Sequence, residues 1–476
     1  MRFWVWATAA GLLLRVLLLP IAPGFPWVDD HDDFVRWGIQ ATDDGLLTLY
    51  DHPPPRWGSR VWQDGRWVVH ERDFDQLCNY PPLSVYLLYG SGMLFKAASQ
   101  DRLINTVTSR AIFSGWSIIA DFLLAWGCAA LVARYRPGWP ARVTYLLVLL
   151  APPLWWNSAI WGQMDSVLLA PAVWMVWALV TQRWTAAAAL YGLMLMLKPQ
   201  AALFLPVWAL AVVTARPFWK PLAALPATLA LALAIALPFM LHSGWSWWQE
   251  SYVQNVWEAY PKTTLKAFNV WYFDLLLYGD EDATRAWLGL TKDLWGKAVL
   301  LIGLGAGFVW LRRRWGSDAR GLILCTALSL SAFVMLPTRV HERYLLLALP
   351  FLIVAAVLWR RFWPGLLMLL AVATAQVTWP SWMAFDAGRL LAFERGAPAW
   401  YEQTVANLTP EQRARFPGLE EQVEAGRRQI LQARAQTVGF EWFVTVLALV
   451  GAAATAAAAV SLKPRPPGTT APPTVS

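Results

Sequence analysis

Residues 28–37 read VDDHDDFVRW, setting Asp29, Asp30, Asp32 and Asp33 around His31 in a chain otherwise poor in charge. Charged groups cost several kcal/mol in hydrocarbon, so the run belongs in water, against the edge of a membrane. An acidic side chain held there could meet a substrate whose other end lies in lipid. The plainer alternative is a solvated acidic loop that follows an apolar helix. Phe34, Trp37, Gly38 and Ala41 come next at helical spacing, which predicts a short helix lying on the bilayer surface.

Cations stand where other apolar runs end. Lys198 closes one run and precedes the helix-breaking Pro199. It is either a lysine snorkelling to the interface or a cation for an anionic headgroup. Arg339, His341 and Arg343 lie between two apolar runs with Glu342 as the single acid among them. With Lys198 they describe an electropositive pocket suited to a phosphate. Trp161-Gly162-Gln163-Met164-Asp165 puts an indole, an amide and a carboxylate at the start of a helix. A sugar needs such groups for stacking and hydroxyl hydrogen bonds, although Gln163 and Asp165 would also serve as caps. Tyr80-Pro81-Pro82-Leu83 forces an extended approach to an apolar run, because proline disfavours helix in the residue before it. Asp121, inside an apolar run, is expensive in lipid and is expected to pair with a neighbouring helix.

Many helices are needed to place these groups. The chain has 476 residues, 57% hydrophobic and 15% charged, with the apolar excess in long separated runs. It reads as an all-α, polytopic transmembrane protein with about 11–13 spans and external juxtamembrane helices. Basic residues gather in the connections 134–142, 182–184, 216–220, 312–320 and 360–361 and in the tail from Lys463, which puts those in the cytoplasm. The formal charge of +8 therefore marks topology rather than nucleic-acid binding. The Asp run, Asn79–Pro82, Trp161–Asp165, Lys198–Gln200 and Arg339–Arg343 all fall at the complementary, external ends. With Asp30 outside and Arg134 inside, the chain between them must cross an odd number of times. Of the two apolar runs in that interval, the short Pro81–Phe95 is expected to be only partly inserted. Arg15 interrupts the first run and no convincing cleavage site follows, which predicts an uncleaved first span. Cys78, Cys128 and Cys325 are too scattered for a disulfide framework or a thiolate metal site. No Walker loop, dinucleotide fingerprint, HExxH or nucleophile elbow is present. A nucleotide-sugar donor thus lacks a binding module, and the outer face favours a lipid-linked one.

In order, the chain carries Asp30 with Phe34-x-x-Trp37, YPPL at 80–83, ADFLL at 120–124, WGQMDS at 161–166, LKPQ at 197–200 and HERYLLLALP at 341–350. This series resembles the type C (GT-C) membrane glycosyltransferases that use polyprenyl-phosphate sugars. It is most similar to bacterial mannosyltransferase-like members and to dolichyl-phosphate-glucose-dependent glucosyltransferases. The resemblance spans roughly residues 1–360. In the glucosyltransferases a catalytic aspartate stands seven residues before a tryptophan, which implies Asp30 as general base, with Asp33 and Asp29 as alternatives. The acid that the family carries before YPPL is Asn79 in this chain. Residues 267–271, AFNVW, resemble a motif of bacterial members and add Asn269 as a site candidate.

The resemblance implies inverting transfer of a hexose, mannose or glucose, from a polyprenyl-phosphate donor to an acceptor hydroxyl at the outer face of the cell (cytoplasmic) membrane. Lys198, Arg339, His341 and Arg343 would bind the donor phosphate. Trp161, Gln163, Asp165, Tyr80 and Asn269 would bind sugar or acceptor, the acceptor being a glycolipid, polysaccharide or protein. No cofactor is expected, with a divalent ion on Asp29, Asp30 and Asp32 as a minor option. The competing reading is a transporter or flippase of lipid-linked glycans, which should hold ionisable groups near the bilayer middle. The expected domains are a transmembrane catalytic domain over 1–378, including external loops 22–80 and 242–292, and an external helical subdomain over 379–438. A transmembrane helix over 439–462 and a disordered, Pro-rich cytoplasmic tail over 463–476 complete the chain.

Overall fold

The computed structural model describes residues 2–25, 28–54, 57–63, 66–72, 77–99, 103–258, 261–278, 282–316, 318–383 and 419–464. They form a helical bundle with two short antiparallel ribbons. The first ribbon pairs β1 (Trp57–Gln63) with β2 (Arg66–Arg72), and the second pairs β3 (Ala286–Trp287) with β4 (Leu290–Thr291).

The first part of the bundle is α1 (Arg2–Leu18), α2 (Val28–Asp43), α3 (Pro82–Ala98), α4 (Val107–Ala133), α5 (Trp139–Leu149) and α6 (Pro152–Trp155). A π-helical turn, Trp156–Trp161, leads to α7 (Asp165–Val180) and α8 (Trp184–Leu195). A 3-10 turn, Pro199–Phe204, runs into α9 (Leu205–Thr214), followed by α10 (Trp219–Ser243), α11 (Ser246–Trp248) and α12 (Tyr272–Tyr278). The last part is α13 (Lys292–Trp315), α14 (Arg320–Met335), α15 (Leu345–Leu358), α16 (Trp363–Met383) and α17 (Leu419–Ser461).

Among the described residues, five helical stretches are long and apolar enough to cross a membrane alone: Val107–Ala133, Trp219–Ser243, Lys292–Trp315, Arg360–Trp379 and Thr437–Ser461. The bent pair Trp139–Leu149 and Pro152–Trp161 makes a sixth candidate. Adding α1, α15 and the shorter apolar helices α7, α8, α14 and Pro199–Thr214 brings the candidates to twelve, against the expected eleven to thirteen. Helix α10 turns Leu222, Leu225, Leu229, Leu233, Leu237 and Leu241 outward at three- and four-residue steps, all exposed. That surface is one for lipid rather than water.

Arginine contacts mark one end of the bundle. Arg136 donates to the carbonyl of Val357 at 2.6 Å, Arg314 to Leu462 at 3.0 Å and Arg361 to Ser461 at 2.8 Å. Each satisfies a carbonyl left open where a helix stops. The opposite end holds the starts of α2, α4, α7 and α15 and the turn after α8. Helix α3 belongs wholly to that second end. Its first turn accepts a tether to Met196 and Leu197 (Leu83 N–H and Ser84 Oγ donating at 2.9 and 2.7 Å), and its last turn packs Phe95 on Phe113 in the second turn of α4. Both ends of α3 thus lie at the second end of the bundle, and α4 runs from there to Arg134.

One expectation changes. Helix α2 exists, but it does not lie with one face free: every residue from His31 to Ala41 is buried except the half-buried Asp33. The cause is close approach of α3. A Cβ on Gly92 would sit 2.0 Å from the carbonyl oxygen of Gly38, so only glycine lets these helices touch. Helix α17 runs unbroken from Leu419 to Ser461, so the residues on either side of position 438 share one helix. The rest of the expected external subdomain, residues 384–418, and tail residues 465–476 lie outside the described residues.

Asp121 finds the expected partner. Arg15 Nη2 lies 2.7 Å from its carboxylate and Ser158 Oγ donates at 2.6 Å, with Ser166 on the other oxygen. Arg15 also donates to the carbonyls of Gly11 and Leu149, both at 3.1 Å. The buried pair is saturated by the fold, as a structural tie among α1, α4, α5 and α7 requires.

Substituting Gly92→Val should push α2 off α3, because the clash is with backbone. The expected loss is about 1–3 kcal/mol of stability, read from thermal unfolding of the detergent-solubilised protein.

Candidate active site

Asp30 enters the site from the first turn of α2 and is about one-third exposed. Its position is set from the other side by the π-helical turn before α7. Arg110, anchored on Asn105 Oδ1 at 2.9 and 3.0 Å, donates to the carbonyls of Ile160 and Trp161 at 3.2 and 3.1 Å. The turn closes at Gly162, whose φ of +81° favours glycine. Held this way, Trp161 points its indole N–H at Asp30 Oδ2, donating at 2.9 Å.

Two cations face that carboxylate. Helix α8 ends just before Lys198, whose ammonium donates to Asp165 Oδ1 at 2.7 Å. Asn157 supports the other Asp165 oxygen at 3.2 Å. Arg343 precedes α15 and stands 3.8 Å from Asp30, 3.7 Å from Asp165 and 3.3 Å from Glu342. Its guanidinium lies over the rings of Trp161 and Tyr344, while the Lys198 ammonium lies over Tyr80. Between them is a cavity with about 600 Å³ of free space, lined in part by Asp30, Asp33, Tyr80, Lys198, His341 and Arg343.

Not every expected site residue reaches this cavity. Trp161, Gln163 and Asp165 are buried behind its wall and do not line it. Trp161 holds Asp30, Asp165 holds the cations, and Gln163 accepts from Tyr80 Oη at 3.4 Å. Asn269 is also buried away from it. Its amide donates to the carbonyls of Val334 and Pro337, both at 3.2 Å, and its oxygen accepts from the Trp271 N–H at 3.0 Å. It clamps the strand-like segment that carries Arg339 to Arg343, so its part in the site is indirect. Arg339 turns into a neighbouring cavity, because its φ of +60° reverses the backbone ahead of His341. The side chain of Asp29 lies outside the described residues.

The charge picture also differs from the one expected. The cavity is not simply electropositive, since Asp30, Asp33 and the underlying Asp165 and Glu342 accompany its two cations. His341 is not a third. Burial, then the positive charges of Arg343, Lys198 and Lys266, hold its pKa well below the ordinary histidine value, so it is neutral near pH 7. The 3.9 Å approach of its Nδ1 to Glu342 would be ionic only for an imidazolium, and burial raises the Glu342 pKa as well. Burial likewise draws the Lys198 pKa below its usual value, although Asp165 opposes this.

A shared divalent ion on Asp30 and Asp32 does not fit the helix. Residues two apart point about 200° from each other, and Asp32 is fully buried whereas Asp30 lines the cavity. Among the described residues no group of three or more His, Cys, Asp or Glu could hold a metal.

Two lining residues were not singled out from the sequence. Gln200 donates to Tyr344 Oη at 2.6 Å, and the pair forms a wall shared with the neighbouring cavity. Their signal was present, because they complete the LKPQ and HERY segments.

Asp165→Asn should leave Lys198 and Arg343 buried without the carboxylate between them. It should cost about 3–5 kcal/mol, and adding Lys198→Met should recover most of it, as followed by unfolding of the solubilised protein.

Comparison with known proteins places the chain. A search of curated proteins finds no match. Among solved structures the chain is similar to ArnT from Cupriavidus metallidurans, determined bound to undecaprenyl phosphate. The two share 15% sequence identity over 96% of this chain and 78% of that one, with a TM-score of 0.42, too loose to carry site residues across. The family match is firmer: residues 80–337 fit glycosyltransferase family 87. With more than half of its length matched, and a bundle of apolar helices around an acid–cation cavity, the chain belongs to glycosyltransferase family 87 and is a multi-pass membrane protein.

Proposed function

We propose that this protein transfers a hexose from a polyprenyl-phosphate donor to an acceptor hydroxyl at the external face of the cell membrane, by a single inverting displacement. The observation that carries this reading is the juxtaposition, on one cavity, of the Asp30 carboxylate with Arg343 at 3.8 Å and with Lys198. The order of the sequence motifs supports the choice of donor and of hexose. The sidedness rests on the arginine-rich end of the bundle being cytoplasmic, which leaves the Asp30 cavity at the other end.

Asp30 accepts the proton of the acceptor hydroxyl as that oxygen attacks the anomeric carbon. The bond from the anomeric carbon to the phosphate oxygen breaks, its electron pair leaves with the lipid phosphate, and the phosphodiester becomes a monoester. Arg343 and Lys198 face the charge that grows on that oxygen, prearranged by Asp165 so that little reorganisation is needed. A single displacement requires no covalent enzyme intermediate. The competing transporter reading is less favoured. The one buried ion pair inside the bundle's apolar runs named above, Arg15 with Asp121, is saturated by protein groups.

Asp30→Asn should reduce sugar transfer from a polyprenyl-phosphate hexose by about 10²–10⁴-fold while the protein still inserts and binds the lipid. Full activity in that variant would remove Asp30 from the mechanism. Because His341 is neutral through its ordinary titration range, the pH–rate profile of His341→Gln between pH 6 and 8 should keep the wild-type shape. An acidic limb present in the wild type and lost in the variant would show that an imidazolium takes part.

A further inference from the structure

Beside the Asp30 cavity is a larger one, with about 950 Å³ of free space, sharing Pro199, Gln200, His341 and Tyr344 as a common wall. Its lining is mostly apolar, with Leu203, Leu265, Leu300 and Phe333 among it. Leu300 belongs to α13, whose Val299, Leu301 and Ile302 are exposed, so the cavity borders a surface suited to lipid. The charged groups among its described lining residues are Asp293, Lys297 and Arg339. Asp293 fixes both cations, with Lys297 Nζ at 2.6 Å and Arg339 Nε at 3.1 Å, and it accepts from Thr338 Oγ1 at 2.8 Å. Arg339 and Arg343 thus serve different chambers although they are only four residues apart.

We propose that this second cavity is the seat of the spent carrier, an isoprenoid phosphate monoester, with its proximal chain along Leu203, Leu300 and Phe333 and its head against Lys297 and Arg339. The inference rests on the reading of a polyprenyl-phosphate donor. That donor is a phosphodiester with one negative charge, whereas the monoester released by transfer carries about −1.5 to −2 near pH 7. The head therefore gains charge in the Asp30 cavity, where Asp33 and the underlying Asp165 disfavour a dianion and where Asp30 adds its own charge again once it sheds the proton it took. Across the shared wall it meets two cations on one carboxylate, next to apolar surface that keeps its chain out of water. Separate chambers for the reacting and the released phosphate would let product step aside while the acceptor leaves.

The test uses the full-length protein in nanodiscs with two probes, farnesyl phosphate and its methyl diester. The wild type should bind the monoester more tightly than the diester. Lys297→Gln should shrink that preference about tenfold, and Lys297→Arg should restore it. Leu300→Trp, which fills the apolar part, should weaken both probes alike. An unchanged preference in Lys297→Gln would overturn the proposal. So would indifference of both probes to Leu300→Trp, or displacement of the probe by inorganic phosphate as readily as by farnesyl phosphate. A parallel transfer assay separates the two readings. Transfer from a polyprenyl-phosphate hexose without the monoester preference defeats this assignment alone, whereas the preference without any such transfer defeats the donor reading.

Discussion

Two cations cannot stay buried at the end of a helical bundle unless a carboxylate accompanies them, and Asp165 is that carboxylate. The desolvation of such groups is recovered only where the geometry is good and the remaining hydrogen-bonding positions are filled. Asp165 meets both conditions, with Lys198 on one oxygen and Asn157 and Arg343 near the other. Because Asp165 starts α7, Lys198 follows α8 and Arg343 precedes α15, one acid gathers three helix ends. Trp161, fixed in the turn just before α7, then ties the same assembly to Asp30 on α2. The site is thus a set of helix ends locked by charge, and its shape follows from which ends meet.

Much of this was legible in the amino-acid order. Apolar runs announced the helices, and the bias of arginine and lysine separated two ends because short loops rich in these residues are retained on the cytoplasmic side. The same bias exposed the parity conflict around α3. Asp121 was readable as paired because an isolated carboxylate in lipid is too costly. What escaped depended on contacts distant in sequence. Trp161 at a helix end looks like an interfacial or sugar-stacking ring, and nothing local reveals that its N–H will find Asp30 across 131 positions. The charge of His341 is set by burial beside Arg343 and Lys198, which composition does not express. Arg339 and Arg343 have the spacing of one helical face, but a positive φ at Arg339 sends them apart. The first ribbon was missed although Asp64-Gly65, a hairpin signal between alternating residues, stands between its strands.

Glycine does at the α2–α3 contact what charge does at Asp165. The acidic helix could have floated at the surface, as its composition suggests, yet the missing side chains of Gly38 and Gly92 draw it into the protein. Once there, Phe34 and Trp37 form part of a second apolar cluster with Leu88, Phe95 and Phe113. Asp30 therefore projects from a firmly packed element, while its neighbour Asp32 turns inward. The polarity of the segment and its burial are compatible because the two carboxylates leave the helix in nearly opposite directions.

The length of the last helix has a separate consequence. At 1.5 Å per residue, α17, with 43 residues, is about 65 Å long, roughly twice the thickness of a hydrocarbon core. Its apolar part is Thr437–Ser461, and Ser461 lies at the arginine-rich end. The residues from Leu419 to the start of that part must then rise some 27 Å beyond the other end as a stiff mast. Whatever the mast carries takes its heading from a helix rooted in the bilayer. Adding a single residue to the shaft would swing the top by about 100° and alter none of the residues that line the two cavities.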